Sequence, residues 1–317
     1  GGEDPALEAA ARRDIETFTL LAELDWDQVL AEVGGKAPRE YGPVLANLPR
    51  WRGSSPFSFA ELTEFYRANG AGLFARHRAF LWEDGALCPV EQPDCPGADE
   101  MLGYELQRNR VIANTRAMLE GNLVNNVLLY GDSGTGKSAT VKNLLTLPGF
   151  EALRLIEVQK EGLADLPRLI RTLGGRRLKF ILFIDDLAFD QDDKTYSALK
   201  TILEGGLERR PANVAVYATS NRRRLVRQTF SDRAGDEVDA SETIQEKTSL
   251  SDRFGLRIPY LALSKAEFLD LVQSLAAQRG LPMDPEELRR RAIQWDMRFP
   301  SRTPRGARQF LASLQMD

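Results

Sequence analysis

The chain has 317 residues, of which 43% are apolar and 28% charged, and its formal net charge is −4. This is the composition of a globular protein, and the acidic balance gives no general attraction to nucleic acids or anionic membranes. No apolar run approaches the roughly 20 residues that cross a bilayer, and the opening stretch GGEDPALEAAARRD contains no apolar signal core. We therefore expect a cytoplasmic protein with no membrane partner, long enough for two domains or for one large domain with extensions.

The cysteines and the histidine exclude several classes of site. Cys88 and Cys95 are the two cysteines and His77 is the single histidine, whereas a structural zinc site takes about four ligands. Cytoplasmic thiols stay reduced, so a disulfide between the cysteines is not expected. We interpret both cysteines as loop thiols and His77 as a surface helix residue, which leaves no histidine-based triad except one built on His77 itself.

Residues 1–100 are predicted to form an N-terminal helical region and a connector. Apolar side chains recur at helical spacing between residues 5 and 35, namely at Leu7, Ile15, Phe18, Leu21 and Leu24. A second helix is expected from the capping residue Ser58 to Gly70, and GLFARHRAFLW is interpreted as further helix or a short turn. The proline-containing stretch from Glu83 to Asp99 is interpreted as an irregular connector, and the main domain boundary is placed at its end.

The stretch VLLYGDSGTGKSAT contains a phosphate-binding loop, because its residues 131–138 match G-x-x-x-x-G-K-[ST]. Apolar residues before the loop predict a buried strand, and helical spacing after it predicts a helix. Such loops turn their backbone N–H groups inward around an anion, and the helix N-terminus adds a positive dipole end. Lys137 can reach the β- and γ-phosphates, and Ser138 can place its hydroxyl on Mg²⁺. The predicted nucleotide contacts are Gly131, Asp132, Ser133, Gly134, Thr135, Gly136, Lys137, Ser138 and Ala139.

Strands and helices alternate after this loop, which indicates a parallel sheet with helices on both faces. Further strands are predicted in LRLIEV, LKFILFIDDLAF, VAVYATSN and LRIPYL. From residue 263 onward, three helical segments follow one another without a strand. We therefore predict an α/β nucleotide-binding core over residues 101–262 and a helical lid over residues 263–317.

Two aspartates end the apolar strand FILFI and are the candidates for metal binding and catalysis. An acidic residue at this place in P-loop enzymes holds the Mg²⁺ that bridges the β- and γ-phosphates, and we assign that role to Asp185 together with Ser138. A second carboxylate beside it can orient and activate the attacking water, and we assign that role to Asp186.

Three further positions are candidates for contact with the γ-phosphate. The strand VAVYATSN should end at the same crevice, and we choose Asn221 for this contact, with Thr219 as the reserve. Arg253 precedes a turn glycine in SLSDRFGL, and an arginine can stabilise the transferred phosphoryl group in cis or from a neighbouring subunit. Arg305 and Arg308 begin the last helix. On composition alone, the interpretation of any single one of these arginines as a solvated surface residue would be favoured, because the chain has many arginines.

The order of GDSGTGKS, FILFIDD, YATSN, SDRFG and TPRGAR resembles that of the AAA+ ATPases over about residues 101 to 317. The resemblance places Lys137 and Ser138 on Walker A, Asp185 and Asp186 on Walker B, Asn221 on sensor 1, Arg253 on the arginine finger and Arg305 on sensor 2. More closely, segments such as LGYELQRN, NNVLLYGDSGTGKS, RLIEVQKE and EKTSLSDRFGL are similar to a bacterial AAA+ subfamily known only as a domain of unknown function (number 815).

This resemblance implies a three-layer α/β P-loop NTPase core with strand order 5-1-4-3-2, which binds ATP and Mg²⁺. It also implies nucleotide-dependent homo-oligomers, because an arginine finger such as Arg253 acts in trans on a neighbour. We expect an ATPase that couples its nucleotide state to the assembly or remodelling of a protein or other macromolecular partner.

Two departures from the family pattern qualify this expectation. Many AAA+ proteins have Asp-Glu at Walker B, and the shorter Asp186 here would hold the base further from the water, so we expect slow turnover. The loop QKEGLADLP lacks the aromatic residue that threading unfoldases carry, which disfavours a threading motor. The alternative is an ATP-gated binding module with negligible turnover, whose N-terminal helices hold a partner. A small-molecule kinase would need an acceptor pocket and would leave Arg253 and Arg305 unexplained.

A basic cluster follows sensor 1, at Arg222, Arg223, Arg224 and Arg227. It could meet nucleic-acid phosphates, lie between subunits or face solvent, and the acidic total does not indicate nucleic acid. The acidic segment from Ser231 to Glu246 is interpreted as a mobile insertion.

Overall fold

The computed structural model describes residues 5–47, 58–97, 100–187, 199–200, 202–203, 210–221 and 250–314. The chain divides into two compact units, Gly1–Gly70 and Ala71–Asp317, and each is described by itself. The basic cluster at residues 222–227 and the acidic segment at residues 231–246 lie outside the described residues. No helix in the part of the chain that is described combines the length and apolar character of a membrane span.

The first unit consists of helices α1 (Pro5–Glu23), α2 (Trp26–Lys36), α3 (Gly42–Ala46) and α4 (Phe59–Asn69), with a 3₁₀ turn at Arg39–Tyr41. The start of α4 is fixed by a capping box between Ser58 and Glu61, and Gly70 ends it, as the sequence predicts. Neither α1 nor α2 contains a buried residue. The predicted apolar face of α1 is therefore largely open, with Phe18 58% exposed.

The second unit is organised around a seven-stranded sheet. Its strands are β1 (Ala79–Glu83), β2 (Ala86–Pro89), β3 (Val127–Gly131), β4 (Leu153–Val158), β5 (Lys179–Ile184), β6 (Val214–Ser220) and β7 (Leu256–Tyr260). They lie in the order β2-β1-β4-β5-β6-β3-β7. The strands β4-β5-β6-β3-β7 are parallel and have the predicted 5-1-4-3-2 order, read from the opposite edge. The predicted AAA+ P-loop fold is thereby confirmed.

The hairpin β1–β2 is a correction to the sequence interpretation, which assigned helix or turn through Trp82 and an irregular connector after it. Strand β1 pairs in parallel with β4, and β2 pairs antiparallel with β1. Asp84 and Gly85 join the two strands with φ of 49° and 74°, which is the backbone that Asp-Gly hairpin turns adopt. Cys88 consequently lies on a strand rather than in a loop, and both cysteines are free thiols. The compact unit thus includes residues before the predicted boundary at residue 100.

Helices cover both faces of this sheet. They are α5 (Leu73–Arg76), α6 (Glu105–Leu119), α7 (Lys137–Asn143) and α8 (Leu166–Leu173). Along β5, Leu182 packs with α8 on one face, whereas its neighbours Ile181 and Phe183 pack with α6 and α7 on the other. Because successive side chains of a strand point to opposite faces and both faces are covered, β5 is apolar from Phe180 to Ile184, and the unit has three layers.

The predicted helical lid consists of α9 (Lys265–Gln278), α10 (Pro285–Arg298) and α11 (Pro304–Ser313). Its helices share a core of their own, centred on buried residues such as Phe268, Val272 and Phe310. Each helix starts at a side-chain cap, provided by Ser264, Asp284 and Thr303 respectively. The cap at Thr303 fixes where α11 begins, which positions the arginines of its first turns.

Candidate nucleotide-binding site

A cavity of about 540 Å³ lies where β3, β5 and β6 end. This volume is in the range of small-molecule sites. Its place follows from the parallel strands of the sheet, whose carboxyl ends lie on the same side. Residues 133–140 of the phosphate loop and of α7 form one wall, and the segment 100–104, with Arg108, forms another. Residues at the ends of β5, β6 and β7 and residues of α11 complete it.

The conformation of the loop depends on glycine at Gly131, which ends β3 with φ 132°. A Cβ atom there would lie 2.2 Å from the carbonyl oxygen of Tyr260, so only glycine permits this approach of β3 to β7. Gly131 and Asp132, both predicted nucleotide contacts, are not among the residues that line the cavity. The Asp132 carboxylate accepts a 2.6 Å hydrogen bond from the N–H of Ala262, which ties the loop to the segment leading into the lid.

Lys137 is the buried cation of the site, with 6% of the residue exposed. Its ammonium donates to the carbonyl oxygens of Gly131 and Asp132, at 3.1 and 2.7 Å, and to Oδ1 of Asn221 at 2.9 Å. Burial lowers the pKa of Lys137, and nearby carboxylates, Asp132 first among them, oppose the shift. The predicted Walker A lysine and sensor 1 asparagine are therefore in direct contact.

The two predicted metal-binding residues also meet. Ser138 Oγ donates a 2.6 Å hydrogen bond to Oδ1 of Asp185, and Thr219 Oγ1 donates to the same oxygen at 2.5 Å. Ser138 and Asp185 both line the cavity, and a hydroxyl and a carboxylate are oxygen ligands that Mg²⁺ takes, usually together with waters and substrate phosphates. The donor set at Ser138 and Asp185 therefore fits a magnesium ion.

Asp186 follows Asp185, and the Asn221 side chain connects it to Lys137 by hydrogen bonds. Asn221 Nδ2 donates to Oδ1 of Asp186 at 2.8 Å, while its amide oxygen receives the Lys137 ammonium. The backbone of Asp186 is left-handed, with φ 48°, and its N–H donates to Thr219 Oγ1 at 2.9 Å. The predicted base and the predicted sensor therefore lie within hydrogen-bonding distance of each other.

The lid contacts the loop at the start of α11. The Arg305 N–H donates to the carbonyl oxygen of Gly134 at 3.2 Å, and a Cβ atom on Gly134 would lie 3.0 Å from Cβ of Arg305. Arg305 and Arg308 both line the cavity, and Arg308 donates to the carbonyl oxygen of Glu100 at 2.5 Å. The predicted sensor 2 arginine thus lies directly against the phosphate loop and lines the cavity.

Arg253 is not among the residues that line this cavity. It lies just before β7 begins at Leu256, whereas the phosphate loop begins beside the other end of the strand, where Gly131 pairs with Tyr260. Four residue steps along a strand span about 13 Å. Arg253 therefore lies near the amino end of β7, whereas its own phosphate loop begins beside the carboxyl end of that strand. The structure does not bring Arg253 to the site of its own chain.

Sequence reasoning missed the wall formed by Tyr104 and its neighbours. Tyr104 has φ 56°, stacks on the Tyr260 ring at 5.0 Å between centroids and donates to the carbonyl oxygen of Leu261 at 2.5 Å. Burial raises the pKa of its phenol. The sequence signal that includes Tyr104 is the segment LGYELQRN, which contributes to the family resemblance but does not indicate a role for Tyr104.

The comparisons with known proteins place this site within a family. The profile of the family described as "Protein of unknown function (DUF815)" matches residues 75–317. None of the curated proteins is similar to this chain. A single-substitution variant of RuvB from Thermotoga maritima is similar in structure, with a TM-score of 0.43 and 16% identity over 68% of this chain and 62% of that one. The Thermotoga maritima RuvB Holliday junction branch migration motor matches with a TM-score of 0.36 and 15% identity, over 71% of this chain and 73% of that one. The chain therefore spans about 62% of the length of the first of these structures.

Proposed function

This chain belongs to the DUF815 family, whose profile spans residues 75–317, and within its AAA+ fold we propose that it binds ATP with Mg²⁺ and hydrolyses the ATP slowly. One observation supports this proposal above the others. Asn221 contacts both the Lys137 ammonium and the Asp186 carboxylate. The proposed phosphate-binding cation and the proposed base therefore lie on either side of the Asn221 amide. Hydrolysis requires this proximity, because the γ-phosphate and the attacking water must be bound next to each other.

The loop N–H groups and Lys137 bind the β- and γ-phosphates, and Arg305 adds a second cation from the lid. Ser138 and Asp185 hold Mg²⁺, which neutralises charge on the phosphate oxygens when it is bound. Water attacks the γ-phosphorus and its proton passes to Asp186. The bond from the γ-phosphorus to the bridging oxygen breaks, and ADP and inorganic phosphate are released.

The position of Arg253 supports an oligomeric enzyme. Because Arg253 lies at the amino end of β7, away from its own phosphate loop, it serves the γ-phosphate of a neighbouring copy. An arginine supplied in trans stabilises the charge that develops on the transferred phosphoryl group. The chain then assembles into nucleotide-dependent homo-oligomers and couples assembly to the remodelling of a protein or other partner in the cytoplasm, a reducing compartment in which Cys88 and Cys95 stay free.

A second candidate function is an ATP-gated binding module with negligible turnover. The observation that favours it is the 2.8 Å hydrogen bond from Asn221 to Asp186, which holds a carboxylate that is already one methylene shorter than glutamate. In this case ATP binds and changes the state of the chain, and the N-terminal helices hold a partner.

The test is Mg²⁺-dependent binding and hydrolysis of ATP by the wild-type protein, Lys137→Ala and Lys142→Ala. Lys142 lies on the same helix, α7, but does not line the cavity, so it is a matched control. We expect Lys137→Ala to weaken binding at least about tenfold, the equivalent of losing one charge-assisted hydrogen bond, and Lys142→Ala to bind normally. Wild-type protein that binds no ATP, or equal affinity in Lys137→Ala, would contradict the proposal. Normal binding without turnover would favour the gated module.

A further inference from the structure

Thr219 connects to each of the three residues that follow β5, although it lies on β6. Its hydroxyl donates to Oδ1 of Asp185 at 2.5 Å and accepts from the N–H of Asp186 at 2.9 Å. Its carbonyl oxygen accepts from the N–H of Leu187 at 2.7 Å. Thr219 itself is buried, with 2% of the residue exposed.

The direction of the hydroxyl bond follows from the partners. An ionised carboxylate only accepts hydrogen bonds and a backbone N–H only donates. The single hydroxyl proton of Thr219 therefore points to Asp185, and a lone pair faces the N–H of Asp186. The hydroxyl thus contacts the carboxylate of one aspartate and the backbone of the next at the same time, and the Asp186 N–H also donates to Oδ1 of Asp185 at 3.2 Å.

Asp186 needs such support, because its φ of 48° is sparsely populated by residues other than glycine. Strained backbone of this kind persists only where surrounding contacts over-determine it. The hydrogen bonds from the N–H groups of Asp186 and Leu187 to Thr219 hold the backbone of Asp186 in this conformation. Consequently the Asp186 carboxylate is turned toward Asn221, with which it forms a 2.8 Å hydrogen bond.

From these contacts we infer that Thr219 is a positioning residue for both Walker B aspartates, holding Asp185 toward Ser138 for Mg²⁺ and Asp186 toward the site of the attacking water. The inference rests on the proposed function. It assigns to Thr219 a role different from direct contact with the γ-phosphate. Residues that orient metal-binding carboxylates typically change metal affinity or activity by about 10- to 100-fold when they are replaced.

The experiment compares Thr219→Val, which removes the hydroxyl and keeps the shape, with Thr219→Ser, which keeps the hydroxyl. Thr115→Val is the matched control, because Thr115 is also fully buried and its hydroxyl bonds to Tyr217, which lies on the same strand β6. The measurement is the affinity for a fluorescent ATP analogue in EDTA and across a Mg²⁺ titration, followed by ATP turnover. Thermal unfolding checks that each variant is folded.

We expect Thr219→Val to bind the nucleotide in EDTA within about twofold of wild type, since the loop and Lys137 are untouched. Its Mg²⁺ midpoint should rise by about 10-fold or more, and its kcat should fall by about 10- to 100-fold. Thr219→Ser should restore both values, and Thr115→Val should change neither.

An unchanged Mg²⁺ midpoint in Thr219→Val would overturn the inference. A loss of nucleotide affinity by Thr219→Val in EDTA as large as its loss in Mg²⁺ would also overturn the inference, because it would indicate general damage or direct phosphate contact. The same shift of the Mg²⁺ midpoint in Thr115→Val would overturn it as well. Wild-type protein that binds no nucleotide would instead contradict the proposed function itself. The two failures are therefore distinguishable.

Discussion

Asp186 occupies a position where the type of residue is constrained by the backbone as well as by the chemistry. Its φ is 48°, and aspartate and asparagine are several-fold enriched among residues that adopt this region, because their short polar side chains bond locally. Glutamate, which many AAA+ proteins have here, lacks that advantage. The left-handed turn at the end of β5 therefore favours aspartate over glutamate at this position.

This constraint predicts opposite effects of two substitutions on turnover. Asp186→Asn keeps the backbone preference but removes the base, so we expect ATP binding to persist while kcat falls by about 100-fold or more. Asp186→Glu brings a carboxylate closer to the water and should raise kcat, at a loss of about 1 kcal/mol in unfolding free energy from the left-handed backbone. Steady-state ATPase assays and chemical denaturation measure the two effects. Normal turnover in Asp186→Asn would remove Asp186 from the base position.

The sequence indicates the local part of this candidate site but not the long-range part. Lys137 and Ser138 are predicted because the loop pattern fixes their positions within eight residues. Asp185 is predicted because it ends an apolar strand. The positioning contacts of Thr219 with residues 185–187 join strands that are distant in the chain. The stacking of Tyr104 on Tyr260 is a pairing of the same kind. Such contacts are set by tertiary packing, which no local pattern encodes.

Among the secondary-structure elements, the hairpin β1–β2 is the one where two sequence patterns favour different structures. In the segment AFLWE, Phe80 and Trp82 lie on one face and are buried, at 1% and 6% exposure. An Asp-Gly pair follows directly. An alternating strand followed by Asp-Gly is the sequence pattern of a hairpin. The prolines and cysteines that come next favoured an irregular connector instead. The strand–helix alternation from β3 to β7 has no such competing signal, and its predicted order is confirmed.

The close approach of β3 to β7 leads to a prediction about Gly131. Gly131→Ala should be more destabilising than Gly175→Ala by about 1–3 kcal/mol. Both glycines have positive φ, but only at Gly131 would the new Cβ overlap the Tyr260 carbonyl, whereas Gly175 has open space around it. Guanidinium denaturation of the two variants measures the difference. Equal losses would mean that the two strands can separate at this point without penalty.

At the scale of the whole molecule, every described residue that lines the nucleotide cavity belongs to the unit Ala71–Asp317. We therefore expect a fragment of residues 71–317 to fold and to bind ATP with the affinity of the full chain. A fragment of residues 101–317 follows the boundary predicted from sequence and loses β1 and β2. It should be far less stable, because each buried aromatic side chain, Phe80 and Trp82, is worth about 3–5 kcal/mol.

Thermal unfolding and ATP titration of both fragments test this division. A stable 101–317 fragment with normal affinity would show that the hairpin is dispensable. Loss of ATP binding in the 71–317 fragment would show that the first unit is required by the site.

We propose that this chain hydrolyses ATP at a site completed by a neighbouring copy. The most direct measurement is the rate of ATP hydrolysis per chain against protein concentration, for wild type, Lys137→Ala and Arg253→Ala, with mass followed by light scattering. We predict that the wild-type rate rises as the protein assembles, and that both variants are inactive because each removes a cation from the same γ-phosphate. Mixing the two inactive variants should restore turnover, since Lys137→Ala chains still offer Arg253 to neighbours that retain Lys137. A rate per chain that is independent of concentration, with Arg253→Ala as active as wild type, would contradict the account.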